Sequence, residues 1–168
     1  GNPPVSLTGA FVRALVTWGN ELIVGGIFRS PIGSSILAWN GATFLTLGTG
    51  NNGPVSTSTI FDSNLIVGGQ FTMIAGLAAD RISKFDGTNW TSLGAGGITW
   101  IHTLTAFRNL LVAGGQRTED GGPPYTASVT AWNGSVWSNL ASNTSNSDIM
   151  AFTVWDNKLI AGGSFDSI

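Results

Sequence analysis

One hydrophobic pattern recurs four times along the chain. In each copy an apolar triplet runs directly into a pair of glycines, and the copies begin at Leu22, Leu65, Leu111 and Leu159. Successive copies lie about 45 residues apart, which is the spacing of a repeat made of one supersecondary unit. Because the triplets are apolar at consecutive positions, they predict strands that are buried on both faces. The paired glycines predict a β-bulge or a close approach of neighbouring backbone.

A second motif lies between these strings and keeps the same period. It reads aromatic-Asn/Asp-Gly, and it is followed by a second aromatic residue and then by a leucine. The three copies are Trp39-Asn40-Gly41 with Phe44 and Leu47, Phe85-Asp86-Gly87 with Trp90 and Leu93, and Trp132-Asn133-Gly134 with Trp137 and Leu140. Two independent motifs with one period indicate an internal repeat rather than chance.

Each period predicts four short strands. The first strand ends in an aromatic residue (12–18, 55–61, 101–107 and 149–155), and the second carries the apolar triplet. The third strand covers 36–39, 82–85 and 129–132, and the fourth holds the second aromatic residue and the leucine. Asn-Gly and Asp-Gly favour two-residue type I′ turns, so we predict such a turn between the third and fourth strands.

The predicted fold is all-β, and four antiparallel strands per repeat are typical of a β-propeller blade. A β-sandwich also uses short strands and glycine turns, but it gives no reason for one motif pair to recur. The blades are expected at about 10–52, 53–97 and 98–145, with a partial blade at 146–168, and residues 3–9 are expected to be the last strand of a preceding blade. Residues 1–168 would thus form a single propeller segment of about three and a half blades.

An open arc of blades would leave an apolar face exposed at each end. If about ten apolar side chains stayed in water, the loss would be roughly 15–30 kcal/mol, which exceeds the ~5–15 kcal/mol net stability of a domain. The sequence therefore favours a fragment of a larger propeller. Closure by self-association, or a ring completed by strands from both ends, remains an alternative.

The repeats resemble kelch-type propeller repeats, especially a subgroup from secreted and cell-surface proteins of microbes. That subgroup has an apolar strand, Gly-Gly-x-Phe, a variable loop, Trp-Asp-Gly and a final Trp-x-x-Leu. Three copies here carry Gly-x-Phe, ending at Phe28, Phe71 and Phe165, whereas Arg117 stands where the phenylalanine is expected. The resemblance implies a propeller and an extracellular or cell-surface location. Its implication for function is weak, because propellers carry many unrelated activities.

Composition and charge narrow the classes of partner. Charged residues make up 10% of the chain, and 7 basic against 9 acidic residues give a net charge of −2. Nucleic acid is therefore not expected as a partner. The chain has no cysteine, so disulfides and thiol chemistry are excluded. The apolar run 22–28 is interrupted by two glycines, and membrane insertion is not expected.

The residues that could carry catalysis or cofactor binding have simpler interpretations. His102 is the only histidine, so we expect a packed or edge residue and no metal site or cofactor. The aspartates Asp62, Asp86, Asp148, Asp156 and Asp166 fall mostly at turns, where Asp is a turn former. None stands inside an apolar run, so no carboxyl group with a raised pKa is predicted, and no catalytic residue is assigned.

Variable loops on a rigid scaffold are where binding is expected. The candidate loop residues are Arg29, Asp80, Arg81, Arg117, Glu119, Asp120 and Tyr125. Asn89, Asn133 and Asn143 begin Asn-x-Ser/Thr triplets and are candidate N-glycosylation acceptors in a secreted protein.

The sequence thus predicts a non-catalytic scaffold or binding module of an extracellular or cell-surface protein, with protein partners or self-assembly. A carbohydrate-binding propeller is the alternative, with aromatic residues such as Trp90 and Trp137 stacking on sugars. A glycosidase or an oxidase on a kelch-like scaffold is a third reading, for which this segment supplies no evident set of residues.

Overall fold

The computed structural model describes residues 10–28, 35–118, 126–142 and 147–164, and these residues form strands, turns and irregular segments without a helix. The predicted strand at 3–9 lies outside the described residues. The chain divides into two compact units, residues 1–93 and residues 94–168.

The first unit contains two four-stranded antiparallel sheets and a small hairpin. The first sheet has the order β1-β2-β3-β4, with β1 (Phe11–Trp18), β2 (Glu21–Ile27), β3 (Ile36–Trp39) and β4 (Phe44–Thr46). The second sheet has the order β10-β9-β6-β5, with β5 (Val55–Phe61), β6 (Asn64–Gly69), β9 (Ile82–Phe85) and β10 (Trp90–Ser92). The small hairpin pairs β7 (Met73–Ile74) with β8 (Leu77–Ala78).

The second unit contains one four-stranded antiparallel sheet and one hairpin. The third sheet has the order β11-β12-β13-β14, with β11 (Trp100–Phe107), β12 (Leu110–Arg117), β13 (Thr126–Trp132) and β14 (Trp137–Ser142). The hairpin pairs β15 (Asp148–Trp155) with β16 (Lys158–Ser164). Among the described residues, the predicted first and third strands are found with their ends at most three residues from the expected positions.

The second strands show the burial that their composition predicts, except in the last hairpin. In β2, β6 and β12 at least four consecutive residues are buried. A strand can be buried on both faces only if material covers each face of its sheet, which explains the continuous apolar run. In β16 no residue is buried, although its apolar triplet is equally hydrophobic.

In each of the four hairpins formed by a first and a second strand, the paired glycines lie opposite a β-bulge. The pairing between the first and second strands slips by one residue at Arg13, Ser56, His102 and Met150. At the second glycine of each pair, a Cβ atom would overlap a carbonyl oxygen of the facing strand: that of Phe11, Pro54, Trp100 or Asp148. The bulge brings that carbonyl close, so only glycine fits there.

The predicted two-residue turn at Asn-Gly and Asp-Gly is wrong. Trp39 pairs with Phe44, so four residues separate the third and fourth strands, and Gly41 has positive φ whereas Asn40 does not. The Asn40 side-chain oxygen Oδ1 accepts hydrogen bonds from the backbone N–H groups of Ala42 and Thr43, at 2.9 Å each. This side chain therefore organises a longer turn, as Asn and Asp do in Asx-turns.

Two-residue turns with positive φ at both positions occur elsewhere, between first and second strands. They are formed by Asp62-Ser63 and by Asp156-Asn157. These are the residues that the type I′ geometry favours, placed one hairpin earlier than the sequence suggested.

Candidate functional site

The loop candidates Asp80 and Arg81 are neighbours in sequence, and their side chains form an ion pair at the end of the loop between β6 and β9. Arg81 has a φ of 63°, and its N–H donates to the Phe71 carbonyl over 3.1 Å while its own carbonyl accepts from the Gly69 N–H over 3.0 Å. Phe71, the phenylalanine of the Gly-Gly-x-Phe motif, lies in this loop and is fully buried. The Arg81 backbone therefore closes the loop, while the side chains of Asp80 and Arg81 remain partly or largely accessible.

Arg117 lies at the end of β12, where it pairs with Thr126 at the start of β13. The Thr126 hydroxyl donates to the Arg117 carbonyl over 3.4 Å. The other loop candidates, Arg29, Glu119, Asp120 and Tyr125, lie outside the described residues. Arg117 is thus placed at the base of its loop, and the loop itself is not described.

Two candidate glycosylation sites fall in the turns between third and fourth strands. Asn89 is exposed, and its backbone N–H donates to Asp86 Oδ1 over 2.7 Å. Asn133 is also exposed, but its Oδ1 accepts from the N–H groups of Ser135 and Val136 at 3.0 Å each. The Asn89 side chain also hydrogen-bonds to Asp86, so both side chains are engaged within their turns. Asn143 lies outside the described residues.

The repeated aromatic residues pack within and between sheets. Trp39 lies on Phe44, Phe85 on Trp90 and Trp132 on Trp137, with ring centroids 4.7, 4.9 and 5.6 Å apart. Trp90 is buried, and its Nε1 donates to the Leu47 carbonyl of the first sheet over 2.6 Å. Trp90, a main candidate for sugar stacking, is thus occupied in packing, whereas Trp155 is exposed.

The first glycine of a pair forms a hollow that the next sheet fills. Val55, at the start of β5, places its Cγ1 atom 2.6 Å from where a Cβ of Gly25 would lie. In the second unit, Ile149 at the start of β15 does the same to Gly114 with Cγ2, also at 2.6 Å, and Phe152 joins it. A β-branched side chain seated on a glycine is therefore the contact between consecutive sheets in each unit.

On two sheet faces no described residue provides this cover. Val12, which lies near the start of β1 at the repeat position of Val55 and Ile149, is 47% exposed, whereas both of those residues are fully buried. Among the described residues, only the Ala151 carbonyl oxygen lies near the position of a Cβ at Gly162 of β16, at 4.0 Å. Apolar neighbours share this exposure: Phe11 63% and Leu15 61% beside Val12, and Met150 55% and Ile160 42% beside Gly162. We call these the β1 face (Phe11, Val12, Leu15) and the β15–β16 face (Met150, Ile160, Gly162).

The sequence predicted an exposed apolar face at each end of an open arc of blades, but it did not identify the residues of these faces. The signal was present, since Val12, Val55, Ile101 and Ile149 are β-branched at one repeat position. Aligning the copies on their bulges pairs Val55 with Gly25 and Ile149 with Gly114, each glycine lying in the preceding copy.

A polar contact joins the third sheet to the last hairpin. His102, the bulge residue of β11, places Nε2 at 3.1 Å from Oδ2 of Asp148, the first residue of β15. Both side chains are mostly buried, and the Trp100 ring lies edge-on to the imidazole with centroids 6.2 Å apart. His102 is therefore packed at an edge, and it bridges two sheets.

The expectation that no carboxyl group has a raised pKa is wrong for Asp148. Burial raises the pKa of Asp148 above its ordinary value of 3.8, and this effect outweighs the opposing influence of His102 and of the hydrogen bonds from Ile149 and Gln116. The sequence did not show this burial, because Asp148 lies against His102 of β11, which is distant in the sequence. By contrast, hydrogen bonds from the backbones of Asn89 and Thr88 lower the pKa of the exposed Asp86.

No family model matches the sequence, and no curated protein matches it significantly. Across the described ranges no three His, Asp or Glu side chains cluster as metal ligands would. The described residues also include no helix long and apolar enough to span a membrane.

Proposed function

We propose that this chain is part of a β-propeller and that it serves as a non-catalytic scaffold or binding module of an extracellular or cell-surface protein, making protein–protein or assembly contacts. The observation that carries the proposal is the concentration of exposed apolar side chains on the β1 face and the β15–β16 face. Contiguous apolar patches on a soluble protein mark surfaces that bind other protein surfaces.

The packing inside each unit supports the propeller arrangement. The first strands of consecutive sheets lie side by side, β1 next to β5 and β11 next to β15. In a propeller the corresponding strand of every blade lies at the same radius, so neighbouring blades bring equivalent strands together. A sandwich instead packs two sheets face to face across one core.

The chemistry of the described polar side chains supports a scaffold. Asp86 and Asn133 shape turns by accepting hydrogen bonds from backbone N–H groups. These side chains stabilise local backbone, which is the use that a rigid frame makes of polar groups.

A crystal structure of the protein, alone and in its native assembly, tests both parts of the proposal. We expect sheets arranged around a channel and protein atoms covering the β1 and β15–β16 faces in the assembly. Two facing sheet layers would contradict the propeller, and apolar faces that stay fully solvated in the assembly would contradict the scaffold role.

One specific observation favours the carbohydrate-binding alternative: the indole of Trp155 is exposed beside the polar turn Asp156-Asn157. An exposed aromatic ring next to hydrogen-bonding groups can stack on a sugar. A glycan array probed with the protein and with Trp155→Ala tests this: binding that Trp155→Ala abolishes would favour the lectin, and absence of binding would remove it.

A further inference from the structure

The sequence contains three Asn-Gly dipeptides, and the structure places them in two different kinds of surroundings. They are Asn40-Gly41, Asn52-Gly53 and Asn133-Gly134. We propose that Asn40 and Asn133 are sites of spontaneous deamidation to aspartate and isoaspartate, and that the fold protects Asn52. This chemistry is independent of the scaffold function proposed above.

The reaction is an intramolecular displacement on the asparagine side chain. The backbone nitrogen of the following residue gives up its proton to water or hydroxide and attacks Cγ. A C–N bond forms, the bond from Cγ to Nδ2 breaks, and ammonia leaves with a proton from the solvent, so that a succinimide ring remains. Water then opens either carbonyl of the ring, which yields aspartate or isoaspartate. Glycine favours the attack because it carries no Cβ beside the attacking nitrogen.

The turn at Asn40 holds the side-chain amide in position for this attack. Oδ1 accepts the N–H groups of Ala42 and Thr43 at 2.9 Å each, so the side chain is folded over the Gly41 backbone that lies between. The same two N–H groups face the oxygen on which negative charge develops when Cγ is attacked, as the donors of an oxyanion hole do. The turn therefore both positions and polarises the amide carbonyl.

The attacking nitrogen is unobstructed in both turns. Among the described residues, none accepts a hydrogen bond from the N–H of Gly41 or of Gly134. No other residue lies within 4 Å of the position of a Cβ at either glycine, and both turns are exposed to water. Asn133 repeats the arrangement of the amide, because its Oδ1 accepts from the N–H groups of Ser135 and Val136 at 3.0 Å each.

The Asn52 side chain is held away from its own backbone. Its Oδ1 accepts the N–H groups of Thr72 and Met73 at 2.8 Å each, and its Nδ2 donates to the Thr72 hydroxyl over 2.7 Å. Gly53 is enclosed as well, since a Cβ there would lie 2.9 Å from the Cα of Phe71. Attack on the Asn52 side chain therefore requires that these three hydrogen bonds break and that the amide turns back toward Gly53.

The remaining copy of the turn already holds the residue that deamidation would produce. Asp86 accepts the N–H groups of Thr88 and Asn89 through Oδ1, at 2.8 and 2.7 Å, so the turn accommodates an aspartate. The hydrogen bonds from Asn89 and Thr88 also lower the pKa of Asp86 and favour its ionised form. An ionised carboxylate is a poor target for a nucleophile, so we expect Asp86-Gly87 to be unreactive. Isoaspartate, by contrast, adds a methylene to the main chain and would alter the turn.

Peptide mapping by mass spectrometry, after incubation of the folded chain in mildly alkaline buffer, tests the proposal. The protease must separate Asn40 from Asn52, and enzymatic methylation of isoaspartyl groups identifies isoaspartate. We expect Asn40 and Asn133 to convert at similar rates and Asn52 at least about tenfold more slowly, a ratio that corresponds to ~1.4 kcal/mol. In urea the difference should disappear, because all three asparagines then have the same glycine neighbour and no fixed turn.

Asp86→Asn is the matched variant, because it places an Asn-Gly dipeptide in the turn that holds Asp86 in the wild type. The substituted position should convert at a rate similar to that of Asn40, while Asn52 in the same molecule stays protected. Circular dichroism at the start of the incubation should show that the variant is folded as the wild type is.

Equal rates for Asn40 and Asn52 in the folded chain would overturn the proposal, since the two surroundings would then have no influence. So would an Asn40 or Asn133 that converts in urea but stays intact in the folded chain, because the turn would then protect the amide. A folded Asp86→Asn variant that remains intact at the substituted position would also contradict it.

Discussion

The third sheet and the β15–β16 hairpin begin with the same local structure and end with opposite burial. Both have a bulge opposite paired glycines, and their first and second strands pair in the same register. Yet Val112 in β12 is fully buried, and its equivalent Ile160 in β16 is 42% exposed. The difference is that β15 covers the third sheet, whereas no described residue seats on Gly162. The second glycine of each pair therefore makes room for the bulge in every copy, and the first glycine contacts a neighbouring sheet at Gly25 and at Gly114.

The largest expected effect compares Ile23→Ala with Ile160→Ala. Ile23 occupies in β2 the register position of Ile160 in β16, and it is fully buried in the core of the first unit. Truncating a buried isoleucine costs about 2–5 kcal/mol of unfolding free energy, through lost transfer and a cavity. Ile160→Ala should cost under about 1 kcal/mol, since its side chain is already partly in water. Urea denaturation at low protein concentration measures both.

Equal losses for the two variants would contradict the comparison, because they would mean that Ile160 is as well covered as Ile23.

The second prediction compares Gly114→Ala with Gly162→Ala. A Cβ at Gly114 would lie 2.6 Å from both the Ile149 and Phe152 side chains, so these must shift. Overpacking of this kind costs about 1–3 kcal/mol. At Gly162 a Cβ meets open space, and the change should stay within about 0.5 kcal/mol in thermal or urea unfolding of the monomer. A Gly162→Ala variant that destabilises as much as Gly114→Ala would show that the hollow has another occupant.

Much of the fold was accessible from the sequence because it depends on short-range patterns. The apolar triplets and paired glycines predicted buried second strands and the bulges, and both are found in the first three sheets. The turns were harder, since Asn-Gly favours type I′ by backbone conformation alone. Here the Asn40 side chain accepts two N–H groups and stabilises a four-residue turn instead. A propensity for one turn type does not include that competing hydrogen bond.

The candidate site was less accessible, because its features depend on strands that are distant in the sequence. The raised pKa of Asp148 follows from burial beside β11. Phe71 is buried in a core cluster that includes Ile74 of the small hairpin β7–β8, which lies in a stretch that the sequence predicted as a variable loop. The contact of Ile149 with Gly114 was also not evident from the sequence, because it joins residues of different repeats. Propeller closure, partner and location remain predictions of the sequence.

The third prediction concerns a hydrogen bond that joins the first and second sheets. Trp90 of β10 donates its indole N–H to the Leu47 carbonyl at the end of the first sheet. Trp90→Phe keeps an aromatic ring but removes the donor, and it should cost about 1–2 kcal/mol of unfolding free energy. Trp155→Phe is the control, because Trp155 is 68% exposed, and it should leave the midpoint unchanged. A neutral Trp90→Phe would mean that ring packing alone holds this contact.

The smallest expected effect is a pH dependence at the contact between the third sheet and the last hairpin. Because the folded-state pKa of Asp148 is raised, the folded chain keeps this proton to higher pH than the unfolded chain. Its contribution to the unfolding free energy is therefore lost as pH rises from about 3.8 through the folded-state pKa. Asp148→Asn does not ionise, so its stability relative to wild type should increase across that window, by less than about 1 kcal/mol because the group still reaches solvent.

Asp86→Asn should show the opposite trend. The lowered pKa of Asp86 adds stability above 3.8 that is lost as pH falls, so the stability of the variant relative to wild type should decrease as pH rises. Urea midpoints measured from about pH 3 to about pH 7 would give the slope of stability against pH for each variant. Equal slopes for the two variants would show that the contact between β11 and β15 does not desolvate Asp148.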